Sequence, residues 1–313
     1  IVNKLDPHSV YIPASQRQSI VENMQGNFEG IGVSFFMVRD TVSILRVLEG
    51  GPSEAAGILA GDKILIADND TLYQKNYASE RIIKILKGPS DTQVALTIFR
   101  KSKNETLKID LKRGKVPLRS VESYYMLADN IGYIKINRFS QTTYEEFESA
   151  IKSLMASGMT KMILDLRDNP GGYLSAAREI SDTFLDKDQT IVITQTNKGK
   201  EERSFATGLG IFKEGDLVVL TNGQSASASE IVAGAIQDND RGWVVGRRTF
   251  GKGLVQQQMP LGGGDAIRLT IARYFTPTGR SIQKPYGRDH EAYYNDLNQR
   301  IENGEMADEN KIP

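Results

Sequence analysis

One stretch of sequence, residues 217–256, constrains the fold more than any other. The apolar run at 217–220 is followed by a polar turn that contains glycine, and Ser227 and Glu230 then precede a second apolar run. A serine three residues before a glutamate is typical of a capping box, so the pattern predicts a strand, a turn and a helix capped by Ser227. The first amides of a helix are unpaired and lie at the positive end of its dipole, so negative charge is stabilised there. A nucleophilic serine is well placed at this position.

A lysine is the most suitable base for such a serine in this chain. The sequence has no cysteine and only two histidines, His8 and His290. Disulfides and thiolate metal sites are therefore excluded, and a histidine triad or a site of several histidines is disfavoured. A lysine kept neutral by burial can accept the proton of a serine, and serine–lysine pairs are an established variant of the triad. Lys252 stands between two glycines, and Gln256 carries an amide that could orient its amine.

Backbone amides are the candidates for stabilising an oxyanion beside this serine. Ala228 lies in the first turn of the predicted helix, and Gly171 and Gly172 lie in a turn that follows another apolar run. In a parallel sheet both turns fall at the carboxyl ends of strands and face the same crevice. We expect Ala228 and one of the two glycines to donate to the same developing charge.

Each of these features also has a simpler interpretation. Helix capping alone explains Ser227, a solvated surface charge explains Lys252, and turn geometry explains the glycines. Ser225 and Ser229 alternate with Ser227 and alanine, so either could be the nucleophile. The residues alone do not choose among the three serines.

The spacing of apolar runs predicts a mixed α/β fold for these 313 residues. Strand and helix signals alternate, which predicts a parallel-type sheet flanked by helices. The strands of this sheet are expected at 161–166, 190–193, 217–220 and 243–245. We divide the chain into an amino-terminal segment (1–27), a domain of short strands (28–114), a core (115–283) and a polar tail that packs on the core (284–313). Residues 6–9 predict a turn, and we assign chemistry neither to this turn nor to the tail.

Residues 28–114 resemble a PDZ domain. Gly30, Ile31, Gly32 and Val33 match the carboxylate-binding loop of that family, and the Gly-Asp turn at 61–62 follows in the right order. Glycine leaves N–H groups accessible to a terminal carboxylate, and the strand that follows can accept an extended peptide at its edge. The resemblance implies that Gly30 to Val33 bind the tail of a substrate.

Longer motifs resemble the carboxyl-terminal processing proteases, also called tail-specific proteases, which combine a PDZ domain with a serine–lysine peptidase core. The matching stretches are residues 5–9, 165–172, 225–235 and 246–256. The resemblance implies a serine endopeptidase in which Ser227 is the nucleophile, Lys252 the general base and Gln256 the residue that orients the lysine.

The same resemblance implies that no cofactor is needed. It also implies protein or peptide substrates with free carboxyl termini, and a bacterial periplasm or cell envelope as the location. The helical segment that often carries dimerisation in the family is largely missing before Leu5, so a homo-oligomer stays open. Lys+Arg and Asp+Glu both number 39, which gives no basic surplus for nucleic acid. No run approaches the roughly 18 apolar residues of a membrane helix, so we expect no integral membrane segment.

Two other classes of protein compete with this interpretation. Residues 246–253 nearly match a nucleotide-binding P-loop, but Gly253 takes the place of the magnesium-binding Ser or Thr, and the following residues alternate like a strand. A catalytically silent PDZ scaffold would bind carboxyl termini without cleaving them. Such a scaffold has no need of Ser227, Lys252 and Gln256 together.

Overall fold

The computed structural model describes residues 2, 5–287 and 290–305. The chain forms two compact units. One consists of residues 26–118, and the other combines the chain up to residue 25 with the chain from residue 119 onward. The larger unit is therefore discontinuous in sequence. The four-part division made above stays a prediction.

The amino-terminal segment contributes one strand and one helix to the larger unit, β1 (Val10–Ile12) and α1 (Ala14–Gln25). Residues 15–24 are rich in helix formers, and they lie within this helix. The strand pairs with a distant part of the chain, as described below.

The unit of residues 26–118 is built mainly of antiparallel strands. Its elements are β2 (Asn27–Gly30), β3 (Val33–Met37), β4 (Val42–Val47), α2 (Pro52–Ala55), β5 (Lys63–Ala67), β6 (Asp70–Thr71), α3 (Ser79–Leu86), β7 (Gln93–Arg100), β8 (Glu105–Lys112) and β9 (Gly114–Pro117). The main sheet has the order β3-β4-β5-β7-β8, with β6 on β5, while β2 pairs with β9. Strand β3 therefore lies at the edge of its sheet.

A buried ion pair stabilises the Gly-Asp turn of this unit. Gly61 has a φ of +87°, a conformation that glycine adopts at little cost. Asp62 is 2% exposed and accepts two hydrogen bonds from the guanidinium of Arg100, at 2.9 and 2.7 Å. The paired geometry replaces the water that the carboxylate loses on burial.

Strand β8 was not predicted, although its polar and apolar residues alternate as in a half-buried strand.

The first sheet of the larger unit has the order β10-β11-β12-β15-β16. The elements from residue 121 to residue 246 are β10 (Val121–Ala128), β11 (Ile131–Ile136), α4 (Thr143–Ala156), β12 (Lys161–Asp165), α5 (Leu174–Asp182), β13 (Thr190–Thr196), β14 (Glu201–Phe205), β15 (Asp216–Thr221), α6 (Ala228–Asp238) and β16 (Trp243–Gly246). Strands β11, β12, β15 and β16 are parallel, and β10 forms an antiparallel hairpin with β11. The predicted parallel-type sheet with flanking helices is confirmed.

One strand of that prediction was wrong. The run at 190–193 begins β13, which lies in the second sheet of the unit and pairs only with antiparallel neighbours. The physical reason is that β13 turns at residues 196–200 into the hairpin partner β14, so it does not continue the strand–helix alternation. An apolar run predicts a strand, but it does not identify the neighbouring strand.

The second sheet is antiparallel and centres on β18. The remaining elements are β17 (Leu254–Pro260), β18 (Ala266–Phe275) and α7 (His290–Glu302). The sheet has the order β1-β18-β13-β14, and β17 pairs with the other side of β18. Helix α6 is buried along most of its length and contacts both sheets, through β13 and β16. The strand after Gly253 removes the basis for the P-loop interpretation, since no helix begins there.

None of the helices in the described ranges is long and apolar enough to span a bilayer.

The centre of the parallel sheet should be sensitive to the loss of side-chain volume. Leu164 on β12 is 0% exposed, so Leu164→Ala should lower the free energy of unfolding of the larger unit by about 2–5 kcal/mol through lost burial and a residual cavity. Leu127→Ala is the matched control, because Leu127 on the edge strand β10 is 53% exposed. Hydrogen exchange of the slowest amides in β12 and β15 measures the change, and equal effects of both substitutions would contradict this packing.

Candidate active site

Ser227 lies at the junction between the turn after β15 and helix α6. Its backbone has φ 55° and ψ −113°, a strained conformation for a residue that is not glycine. Gly171 packs directly against it, since a Cβ atom on Gly171 would lie 2.7 Å from Ser227 Cβ and 2.6 Å from the carbonyl oxygen of Ala226. Only glycine fits this approach, so the two predicted turns meet as expected from the sheet.

The three alternating serines have different environments. Ser225 and Ser229 are fully buried, and their hydroxyls donate to the carbonyl oxygens of Leu166 at 2.7 Å and Asn169 at 3.0 Å. Both hydroxyls connect the Ser227 turn to the turn after β12. Ser227 is partly exposed. The assignment of the nucleophile stays a prediction, and the geometry favours Ser227 because the other two hydroxyls are inaccessible and already bonded.

Glu230 connects the serine turn to the lysine loop. The predicted capping box is present, and Glu230 Oε2 accepts the N–H of Ser227 at 2.8 Å. The same oxygen accepts the N–H of Lys252 at 2.8 Å, while Oε1 accepts the N–H of Gly251 at 2.6 Å and the hydroxyl of Thr249 at 2.7 Å. Burial raises the pKa of Glu230, and these four hydrogen bonds act in the opposite direction. The sequence predicted the capping role and missed the connection to the loop, for which it carries no local signal.

Lys252 is partly buried beside this carboxylate. Desolvation lowers the pKa of Lys252, the positive charge of Arg268 lowers it further, and Glu230 opposes both effects. Across the part of the chain that the structure describes, the amine of Lys252 forms no hydrogen bond, so the contacts expected with Ser227 and Gln256 are not formed here. The environment favours the neutral amine.

The predicted oxyanion donors differ in availability. The N–H of Gly171 donates to Oδ1 of Asn169 at 2.9 Å, so it is already occupied. The N–H groups of Ala228 and Gly172 make no backbone hydrogen bond within the described residues. The geometry therefore favours Ala228 and Gly172 over Gly171, and the assignment stays a prediction.

Gln256 lies on β17, opposite Thr270 of β18. Its amide nitrogen donates to the main-chain carbonyl of His8 at 2.5 Å, across 248 positions of sequence. The turn at residues 6–9, to which we assigned no chemistry, therefore contacts a predicted site residue.

The C-terminal region packs on the lysine loop. Gln283 accepts the N–H of Gly253 at 3.0 Å, and the N–H of Lys284 donates to the carbonyl of Gly251 at 3.0 Å. The ammonium of Lys284 lies over the ring of Tyr293 on α7, 4.3 Å from its centre. Residues 306–313 of the predicted tail lie outside the described residues. The tail was predicted to pack on the core, and its described part contacts the loop that carries Lys252.

A cavity of about 660 Å³ opens beside β18. Leu254, Thr270 and Tyr286 contribute to its lining, so it adjoins the strand pair that carries Gln256. Between residue 5 and the end of α7, no group of three His, Asp or Glu side chains in the described structure could hold a metal ion.

The loop predicted to bind a peptide carboxylate lies in the unit of residues 26–118. Gly32 has a φ of +81°, and a Cβ atom there would lie 3.2 Å from the Cα of Gly51, so the loop requires glycine at this position. Ile31 is 2% exposed and its carbonyl accepts the N–H of Ser53 at 2.8 Å. Gly30 ends β2, and Val33 begins the edge strand β3.

Comparison with known proteins identifies both units. Residues 130–291 match peptidase family S41, and residues 30–111 match a PDZ domain. The carboxy-terminal-processing protease of Bartonella bacilliformis is 37% identical over 284 residues, which cover 89% of this chain and 64% of that protein. A probable CtpA-like serine protease of Staphylococcus aureus is 35% identical over 280 residues, which cover 88% of this chain and 55% of that protein. The chain thus spans only part of the length of these relatives.

Solved structures agree with this comparison. The photosystem II D1 C-terminal processing protease is 29% identical with a TM-score of 0.52, and the match covers 89% of this chain and 75% of that one. A putative S41 protease from Bacteroides fragilis is 16% identical with a TM-score of 0.51, covers 95% of this chain and 86% of that one, and supports the fold alone. The chain belongs to peptidase family S41, and a PDZ domain precedes its peptidase domain.

Proposed function

We propose that this chain is a serine endopeptidase that binds the carboxyl-terminal tails of proteins through its PDZ domain and cleaves them with Ser227 and Lys252. The observation that carries the proposal is the position of Glu230, whose carboxylate accepts the main-chain N–H groups of both residues at 2.8 Å. One buried group thus holds the predicted nucleophile and the predicted base side by side.

The proposed reaction begins with neutral Lys252. Its amine accepts the proton of Ser227 as the serine oxygen attacks the carbonyl carbon of the scissile peptide bond. The N–H groups of Ala228 and Gly172 donate to the oxyanion that forms. The lysine ammonium then gives its proton to the leaving amine, the C–N bond breaks, and an acyl-enzyme remains. Water attacks the ester in the same way, and the proton it loses to Lys252 returns to Ser227.

The amide of Gln256 is proposed to orient the lysine. A glutamine amide has one acceptor oxygen and two donor hydrogens, and the nitrogen of Gln256 already donates to His8. Its oxygen is left to accept from the neutral amine of Lys252, which directs the lone pair of that amine toward the serine.

Tail binding is proposed for Gly30 to Val33. Gly32 gives the loop a positive φ, and β3 is an edge strand that an extended peptide can join. The ligand is a protein or peptide with a free carboxyl terminus. Because the relatives are bacterial carboxy-terminal-processing proteases, we propose the bacterial cell envelope as the location.

The dyad is tested by two substitutions. Ser227→Ala and Lys252→Ala should each lower kcat by roughly 10⁴–10⁶-fold, the range found when members of a catalytic triad are removed. Lys152→Ala, on the exposed face of α4, and Ser157→Ala, at the exposed residue that follows this helix, are matched controls and should keep full activity. Hydrolysis of an unfolded protein is measured without nucleotide or metal. Near-native turnover in either variant would contradict the assignment of the dyad, and activity lost only in Ser229→Ala would move the nucleophile. No hydrolysis by the native chain would support the silent scaffold instead.

The pH dependence of the reaction should follow the pKa of Lys252, which burial lowers most and the charge of Arg268 lowers further. Only neutral Lys252 can accept a proton, so kcat/KM should rise with pH through the pKa of Lys252. Arg268 lowers that pKa, and Arg268→Gln should therefore raise it and move the rising limb to higher pH. Arg203→Gln on β14 is the matched control. A limb that does not move, or that moves to lower pH, contradicts the role given to Arg268.

Recognition of the tail is tested on the substrate. A substrate with an amidated carboxyl terminus should have a raised KM or lose activation, because it lacks the negative charge that the glycine loop would bind. The same substrate with a free carboxylate is the reference, measured as kcat/KM at equal concentrations. An enzyme indifferent to amidation does not bind the tail as proposed.

A further inference from the structure

The turn at Asp6–Ser9 is a compact, buried structure. Oδ1 of Asp6 accepts the N–H groups of His8 and Ser9, each at 2.8 Å, and Oδ2 accepts the hydroxyl of Ser9 at 2.5 Å. Asp6 is 6% exposed and Ser9 is 2% exposed. Burial alone would raise the pKa of Asp6, but these hydrogen bonds outweigh it and hold the pKa below its ordinary value. The turn is therefore fixed by an ionised carboxylate.

This turn is attached to the strand opposite Gln256. Strand β1 pairs with β18, and the pairing ends where Val10 lies opposite Arg268. Ser9, which precedes Val10, therefore lies beside the residues that follow Arg268 on β18. Ser9 Oγ accepts the N–H of Thr270 at 3.1 Å, and Thr270 is the register partner of Gln256. The hydroxyl of Ser9 thus donates to the turn and accepts from the strand, so it couples the two.

The contact with His8 fixes which way the amide of Gln256 faces. A main-chain carbonyl can only accept, so the nitrogen of the amide must face His8 and the oxygen must face away. The register between β17 and β18 shifts at Val255 and Gln256, an irregularity that re-aims side chains beside functional sites. The carbonyl and the bulge together select one orientation of the side chain.

The ring of His8 contacts Tyr293 on α7. Its Nε2 is 2.8 Å from the hydroxyl of Tyr293, which also accepts from the amide nitrogen of Gln283 at 3.0 Å. Gln283 in turn accepts the N–H of Gly253, the neighbour of Lys252. Hydrogen bonds thus run from the turn to both ends of the segment that carries the predicted base and its partner.

We infer that the Asp6–Ser9 turn is a positioning element for the reaction, acting through Gln256. It holds the amide nitrogen of Gln256 with the carbonyl of His8 so that the amide oxygen faces Lys252. The inference rests on the proposed function. The turn itself touches neither the substrate nor the reacting atoms, so Asp6, His8 and Ser9 are positioning residues.

A double-mutant cycle between Ser9 and Gln256 tests this inference. Ser9→Ala removes the hydroxyl that joins the turn to β18, and it should lower kcat by roughly ten- to a hundredfold with little change in KM, as expected when a catalytic group is misplaced. In a Gln256→Ala background the same substitution should change kcat by less than about twofold, because the group on which the turn acts is gone. Ser9→Thr keeps a hydroxyl and should restore most of the activity.

Control variants separate positioning from stability. Ser19→Ala, on the exposed side of α1, is the matched serine substitution and should leave kcat unchanged. Asp6→Asn is a second substitution that weakens the turn. It keeps one acceptor oxygen but replaces the acceptor of the Ser9 hydroxyl by a donor. It should show the same dependence on Gln256, with thermal unfolding measured for every variant.

The outcomes distinguish this inference from the function on which it rests. Equal losses of kcat in the native and Gln256→Ala backgrounds, for both Ser9→Ala and Asp6→Asn, would overturn the inference, as would full activity of Ser9→Ala. The proposed function would survive either result if Ser227→Ala and Lys252→Ala are inactive. Full activity of Ser227→Ala overturns the proposed function, whatever the cycle gives.

Discussion

The carboxylate of Glu230 is the group on which the arrangement of the site depends. A carboxyl group in the protein interior is costly unless donors replace its water, and here three main-chain N–H groups and one hydroxyl do so. Those donors come from two segments that have no strand pairing with each other at this point. The hydrogen bonds that satisfy the buried carboxyl group therefore also hold the lysine loop against the serine turn.

Local sequence patterns predicted the elements well and their partners less well. The strand at 217–220 and the helix that follows carry strong periodic and capping signals, and both form at the expected positions. The run at 190–193 also forms a strand, but in another sheet, because periodicity encodes which face is buried and not which strand lies alongside. The connectivity of distant strands is set by packing that no short window of residues contains.

The candidate site shows the same difference between local motifs and contacts of distant segments. Motifs within a few residues, such as the cap at Ser227 and the glycines around Lys252, were visible in the sequence. Contacts between distant segments were not, and the hydrogen bond between Gln256 and His8 spans 248 positions. A turn and a polar tail that suggested no chemistry turn out to contact the predicted site from both ends of the described chain.

The discontinuous larger unit has a consequence for how the protein is made. Residues 6–9 are synthesised before the PDZ domain, but the strand that pairs with this region, β18, is synthesised only after that domain and most of the peptidase domain. Closing so long a loop comes late in folding. A nascent chain therefore contains Ser227 before the strand that carries Thr270, and the turn at residues 6–9 can be joined to this strand beside Gln256 only once β18 has been made.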